Sequence, residues 1–496
     1  MQLKKTRLLC LLIVLSVVLG SVLCACRTEV DPGTTPPEDD DHTQQPSEEK
    51  EAESEDATAA SGGWFMGFAS REIPLPENSE YPLYIAGYNQ GVEMTDVRDL
   101  QRANAVWVDT GGKGILLIGI DCIALSSATV EEIRSRLSDF CKQSGCVAVN
   151  VYATHTHAGV DTFGMWGELG VDGKNPEFME NLIEAAVLSA KEAYEDRSCG
   201  TLRHGMASTG NLQRDSRDPQ VYDRVLYQLR FVPDDAANDN GIRMLFYDAH
   251  AESMRGDNTV LSRDFPGVAS DIIKQSTGDD TMFLPGAVGG LIMTEVLCQG
   301  EFDAEENLVL TGRRIAQCAL SIHPVNELEI QPKMSFATQE MIVPLDNPVF
   351  LLYRTLGVIG TSLIPGESET GYAVSSSLSV LQLGEVTMAL LPCELFPELL
   401  QGGFGLSEED PEALIEIALR YGVERMQVVG LCNDELGYVV PPSNYLVHPD
   451  NPYFDTIKDE TGENHYEETN SVSIHAASCI AQAFEACLAN LKEIVD

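Results

Sequence analysis

The sequence predicts an α/β protein, a layered sandwich of mixed β-sheets flanked by helices. Two observations carry that class. Near-continuous apolar runs such as GILLIGIDCIAL (114–125) and CVAVNVYA (146–153) alternate with amphipathic stretches, and such runs mark strands buried on both faces. The alternation continues without repeat or second linker from residue 63 onward, so 63–496 reads as one large domain.

The elements follow in order. The run 114–125 is a buried strand. SATVEEIRSRLSDFCKQ comes next, with Val130, Ile133, Leu137 and Cys141 on one helical face and Ser127 or Thr129 able to cap its start. CVAVNVYA (146–153) is the next strand, and strand, helix and strand make a βαβ unit with a parallel pair. The spacing predicts a longer helix over 176–196 and a strand over 241–250. DFPGVASDIIKQ reads as a helix starting behind Pro266, and TMFLPGAVGG as a strand running into a glycine loop. ENLVLTGRRIAQCALSI reads as a helix. LSVLQLGEVTMALLPCELF (378–396) reads as a hairpin turning at LGE. EALIEIALRYG is a helix, ERMQVVGLCN a strand, and SIHAASCIAQAFEACLANLKEIV a last helix with a wide apolar face.

The first 25 residues read as a secretory signal: Lys4, Lys5 and Arg7, then an apolar core. It ends in LCAC, which resembles a bacterial lipobox and makes Cys26 the acylated first residue of the mature chain. Acyl chains there would hold the protein at a membrane. Residues 26–62 are rich in Pro, Ser, Thr, Asp and Glu and cannot bury enough surface to offset chain entropy, so they read as an acidic, disordered tether. The expected location is a bacterial cell surface or periplasmic face, lipid-anchored.

The net charge is −45. Nucleic acid and anionic headgroups are poor partners for that field. The cysteines are scattered and form no zinc-ribbon spacing. Cys141 and Cys146 are near enough in sequence to pair, but the spacing does not require it.

Polar residues gather where predicted strands end. His155 and His157 follow one strand in ATHTHAG, His250 follows another, Glu394 a third and Tyr438 a fourth. Sites in α/β sheets assemble at strand ends. Imidazole and carboxylate suit Zn²⁺, and a catalytic zinc takes about three protein ligands with a position left for water. Each residue alone has a plain structural reading: a hydrogen-bonded histidine, a helix N-terminal carboxylate, a core tyrosine. The HxH spacing strengthens the metal reading, because one histidine can bind metal while the other works in the pocket.

Together these segments resemble the neutral (non-lysosomal) ceramidase family over roughly 64–476. DLQRANAVWVDTGGKGILLIGIDCIAL, NVYATHTHAG, TGNLQRDSRDP, FYDAHAESMRGDNTVLSRDFPG, FLPGAVGG, VTMALLPCELFPEL and GLCNDELGYVVPPSNY appear in family order. The resemblance implies a zinc amidase that cleaves the N-acyl bond of ceramide with a zinc-activated water. It implies His155, His250, Glu394 and Tyr438 as zinc ligands. It gives His157, Arg214 and Tyr466 catalytic roles around the developing oxyanion and the leaving amine. Tyr453 competes with Tyr466 for its place.

The chain departs from the family pattern at the glycine loop. Gly290 stands where an aspartate is usual and Ile292 where a serine is, so no serine nucleophile is available at that place. Cys393 replaces the glycine before the glutamate, where small-residue packing is the plain reading. Asp121 could orient a ligand or serve structure alone, and Trp166 could line a pocket mouth. The expected substrate is an amphiphilic acyl amide, and the oligomeric state is left open. Two other readings remain: a zinc amidohydrolase acting on a non-sphingolipid acyl amide, and an inactive surface binding lipoprotein.

Overall fold

Buried residues at successive positions of Ala105–Asp109 and Gly114–Ile120, nearly all apolar, leave no solvent face, so these strands must sit between two layers. The computed structural model describes residues 63–495 except 216, 238, 295–302, 404–405, 460–461 and 463. The signal, Cys26 and the acidic tether lie outside the described residues.

The first sheet contains β1 (Trp64–Glu72), β2 (Arg102–Asp109), β3 (Gly114–Ile120), β4 (Cys146–Ala153), β5 (Ser198–Ser208), β6 (Val225–Pro233), β7 (Ile242–Tyr247) and β8 (Asp280–Pro285). Their spatial order is β8-β7-β6-β5-β1-β2-β3-β4. The β3–β4 and β7–β8 pairs are parallel and the others antiparallel. The second sheet contains β9 (Met334–Leu345), β10 (Tyr372–Leu383), β11 (Val386–Leu390), β12 (Arg425–Val429) and a short edge strand, β13 (Lys492–Glu493), in the order β12-β11-β10-β9-β13.

The two sheets pack face to face. Trp64, Leu117, Leu229 and Met282 of the first interlock with Leu381, Met388 and Val429 of the second in one buried cluster. Helices cover the outer faces. The helix Pro176–Glu195 lies on β1 and β2, and the helix Ala476–Ala489 lies on β9 and β10.

The local chemistry explains the boundaries. Helix Ser127–Ser144 ends at Gly145, whose φ of +76° makes the left-handed cap that glycine adopts freely. Asn175 caps Pro176–Glu195 by accepting from Glu177 N and Phe178 N, with proline at the first helical position. Helices also form at Asp264–Thr277, Ala304–Ser321 and Leu414–Arg420, as the periodicity predicts.

Three expectations are corrected in extent. The strand expected over 114–125 ends at Ile120 and that over 241–250 at Tyr247, because the chain must leave the sheet to reach the site. The last helix stops at Ala489, and the residues after it join a sheet edge. Among the described residues no helix is long and apolar enough to cross a membrane, and the cysteines, Cys141 and Cys146 included, are free thiols.

Candidate metal centre

Two short backbone pairings assemble the site. Beyond β4 the chain makes a parallel bridge between Thr156 and Ala251, with His157 N donating to Ala251 O at 2.9 Å. Side chains two residues apart on extended chain project to the same side. The bridge therefore sets HTH against HAE: His155 lies beside His250, ring centroids 4.6 Å apart, and His157 lies beside Glu252. The second pairing is a parallel two-residue strand in which Glu394 is register partner of Tyr438 and Leu395 of Val439.

His155 sits at φ +64°, a conformation sparsely populated by non-glycine residues and costing on the order of 1–3 kcal/mol. The turn redirects its ring inward, where Nδ1 meets Ile123 O at 2.7 Å. That contact leaves Nε2 for the centre of the site. There the atoms converge. His155 Nε2 lies 3.3 Å from His157 Nε2 and 3.3 Å from Glu394 Oε2. His250 Nε2 lies 3.0 Å from Glu394 Oε2 and 3.4 Å from the Tyr438 hydroxyl.

For metal–ligand bonds of about 2.0–2.1 Å, the edge of a tetrahedron is about 3.3 Å. The observed spacings match that edge, and the three imidazoles form a buried group with metal-binding geometry. Imidazole and carboxylate donors suit several divalent first-row ions, zinc among them. The residues present therefore fit a metal, with His155, His250, Glu394 and Tyr438 able to ligate and His157 within reach of the same point.

The electrostatics agree. Burial acts to raise the Glu394 carboxyl, but His155 and His250 outweigh it and hold that group below the usual carboxylate range. Burial pushes His157 well below an ordinary histidine, with His155 and His250 adding to the effect. Burial raises both the Tyr438 and Tyr466 hydroxyls, which are hydrogen-bonded to each other. Their rings lie 6.0 Å apart, edge to face. Tyr453 is elsewhere, hydrogen-bonded to Tyr445.

Arg214 is exposed on the short strand Gln213–Asp215. The structure does not bring it into the buried group. Arg217, three residues on and missed by the sequence reading, is buried. It donates to Glu467 at 2.9 Å and Glu468 at 2.7 Å, the two residues that follow Tyr466. Gly290, at φ +77°, faces the Phe396 ring, and its neighbour Gly289 donates to Leu395 O. Ile292 lies in a strand whose side chains are outside the described residues. Cys393 is fully buried in the core.

Asp121 accepts from Arg102 N at 3.1 Å, and burial raises it to about 6. Trp166 is half-buried, its nitrogen held by Asp161 and its carbonyl by Gly91 N. Glu252, Tyr88 and Gly87 were also missed. The signal for Glu252 was available, since HAE repeats the two-residue spacing of HTH.

Fold and site together define a mixed α/β scaffold that carries a buried histidine–carboxylate–tyrosine centre of metal-binding geometry. The chain matches no family model, and no curated relative matches it. Among solved structures, the fold is that of neutral ceramidase from Pseudomonas aeruginosa, at a TM-score of 0.66 and 17% identity over 86% of this chain and 74% of that one. A structure described as ceramidase complexed with C2 matches with the same TM-score and identity, over 86% of this chain and 75% of the other.

Proposed function

We propose that this chain is a zinc-dependent amidase of the ceramidase type, hydrolysing an N-acyl amide bond of ceramide or a related amphiphilic acyl amide. The reading is supported by one observation above others: four widely separated residues, His155, His250, Glu394 and Tyr438, are linked by contacts of 3.3, 3.0 and 3.4 Å inside a neutral-ceramidase-like fold.

A bound zinc ion would polarise the amide carbonyl and bring the pKa of a water toward about 7. The chain's own groups do the rest. His157, neutral because it is buried, takes the proton the attacking water loses at Nε2 and returns it to the leaving nitrogen. Tyr466 donates its hydroxyl hydrogen to the developing oxyanion, the usual large electrostatic contribution. Arg214, exposed in this structure, would become a second donor only by folding in over bound substrate. The lipid anchor at Cys26 would keep the domain beside membrane-borne substrate.

The test is to purify the full chain in detergent, measure its zinc content, and follow hydrolysis of a fluorescent N-acylsphingosine beside His155→Ala. One zinc per chain with turnover lost in the variant is expected. Zinc without ceramide turnover, but with turnover of a simpler acyl amide, moves the substrate class. Zinc without turnover of any amide leaves a binding protein, and a metal-free wild type overturns the centre.

A further inference from the structure

The parallel bridge between Thr156 and Ala251 places a carboxyl group behind His157 as well as a histidine beside His155. Glu252 is 3% exposed, and its Oε2 lies 3.9 Å from His157 Nδ1. That nitrogen makes no full hydrogen bond, although the Gly87 backbone also faces the ring, and Glu252 Oε1 has no partner. The contrast with His155 is direct, since its Nδ1 is pinned by a backbone carbonyl.

Two further features hold this arrangement. Tyr88 donates its hydroxyl to Glu252 Oε2 at 2.5 Å, and its ring meets the His157 ring edge to face at 5.1 Å. Gly87 packs its backbone against the same ring. A Cβ there would sit 2.5 Å from Nδ1. His157 is thus boxed by Gly87 and Tyr88, with the buried Glu252 carboxyl group facing its outer nitrogen. Histidines at metal sites generally fix their tautomer by giving the second N–H to a carboxylate or carbonyl. A gap of 3.9 Å is longer than a hydrogen bond, and such contacts often tighten only when substrate is bound.

We infer that Glu252 is the positioning residue of His157: it receives Nδ1–H, so that Nε2 presents its lone pair to the reaction centre, and Tyr88 holds Glu252 in place. The inference rests on the proposed role of His157. It adds an acid that neither the lone HTH signal nor the metal ligand set requires.

The experiment compares wild type, Glu252→Gln, Glu252→Asp and Tyr88→Phe, each zinc-loaded. ¹⁵N-histidine NMR reads the tautomer, with the His157 signals assigned through His157→Gln. Wild type should carry its proton on Nδ1. Glu252→Gln should show mixed tautomers, keep its zinc, and lose about 10–100-fold in kcat with KM within twofold. Glu252→Asp should restore the single tautomer and part of kcat, and Tyr88→Phe should give a smaller loss in the same direction. An unchanged tautomer in Glu252→Gln overturns the inference, as does loss of zinc from a folded Glu252→Gln. If Glu252→Gln does not fold, Tyr88→Phe decides by the same signals. The NMR readout stands even if the wild type cleaves no amide, so failure of the proposed function and failure of this inference are told apart.

Discussion

His250 Nε2 and Glu394 Oε2 stand 3.0 Å apart, although 144 residues of chain separate them. Both are nearly excluded from water, His250 at 3% and Glu394 at 7% exposure. Bringing a carboxylate into such a place is costly unless a cation or a set of donors compensates it. The geometry provides for a cation.

Metal removal is the first consequence. Chelation should lower the thermal midpoint, and zinc should restore it. At free zinc 100-fold above its dissociation constant, the stabilisation is about 2.7 kcal/mol. His250→Ala should abolish the zinc-dependent rise while remaining folded. Differential scanning calorimetry with and without zinc checks this, and a midpoint indifferent to zinc in wild type contradicts it.

Gly87 gives a second test. A methyl group there meets His157 Nδ1 at 2.5 Å, and the residue sits at φ +111°. Gly87→Ala should therefore displace the His157 ring and cost about 1–3 kcal/mol of stability. Turnover should fall at least tenfold while zinc binding survives. Parallel metal analysis and kinetics distinguish this from general unfolding.

The two arginines should behave differently. Arg217→Met removes the guanidinium shared by Glu467 and Glu468, leaving Glu468 with His465 and Leu446 N. Taking one partner from a buried acid pair costs at most about 3–5 kcal/mol, less here because Glu468 keeps His465 and burial already raises Glu467 to about 7, and the loop carrying Tyr466 should loosen with it. Arg214→Ala, at an exposed position, should change stability by no more than about 0.5 kcal/mol. Urea unfolding of the pair reads the difference directly. The expected order in turnover is the same, with Arg217→Met the more damaging.

Asp121 sets a pH dependence away from the metal ligands. Burial raises its carboxyl to about 6, partly opposed by Arg263, against about 3.9 in an unfolded chain. A raised folded value means the stabilising contribution is complete below about pH 4, is lost as pH climbs through 6, and is level above about 7. Asp121→Asn should therefore be more stable than wild type by about 1–3 kcal/mol at pH 8. The difference should vanish near pH 4. Equal stabilities at both pH values would contradict the shift.

The sequence showed the longer helices well, because they carry a 3.6-residue apolar stripe and most carry a cap or a glycine stop, but it missed the short helices Pro348–Leu356 and Pro397–Gln401. It showed fully buried strands such as 146–153 for the same kind of reason. It missed Trp64–Glu72, Ser198–Ser208, Val225–Pro233 and Met334–Leu345. These mix polar and apolar residues without clean alternation, and their pairing is set by partners far along the chain. In the site, HTH, His250, Glu394, Tyr438 and Tyr466 were legible, and the structure groups them. Arg214 was legible as a motif position, yet its side chain is exposed. Glu252, Tyr88 and Arg217 were not flagged. Their importance comes from what the Thr156–Ala251 bridge and the Tyr466 turn bring against them, and neither contact is local in sequence.

The candidate ligands enter the chain in the order His155, His250, Glu394, Tyr438, spread over more than half of its length. A chain emerging from the ribosome or a membrane channel has no complete set until its final fifth is available. A metal ion cannot then seed the structure early, as it does in small zinc-nucleated domains. It can act only as a late latch, closing on a framework already built from both sheets. Such a protein would acquire its ion where it finishes folding, so the metal supply of that compartment, rather than of the place of synthesis, would decide whether the molecule is active.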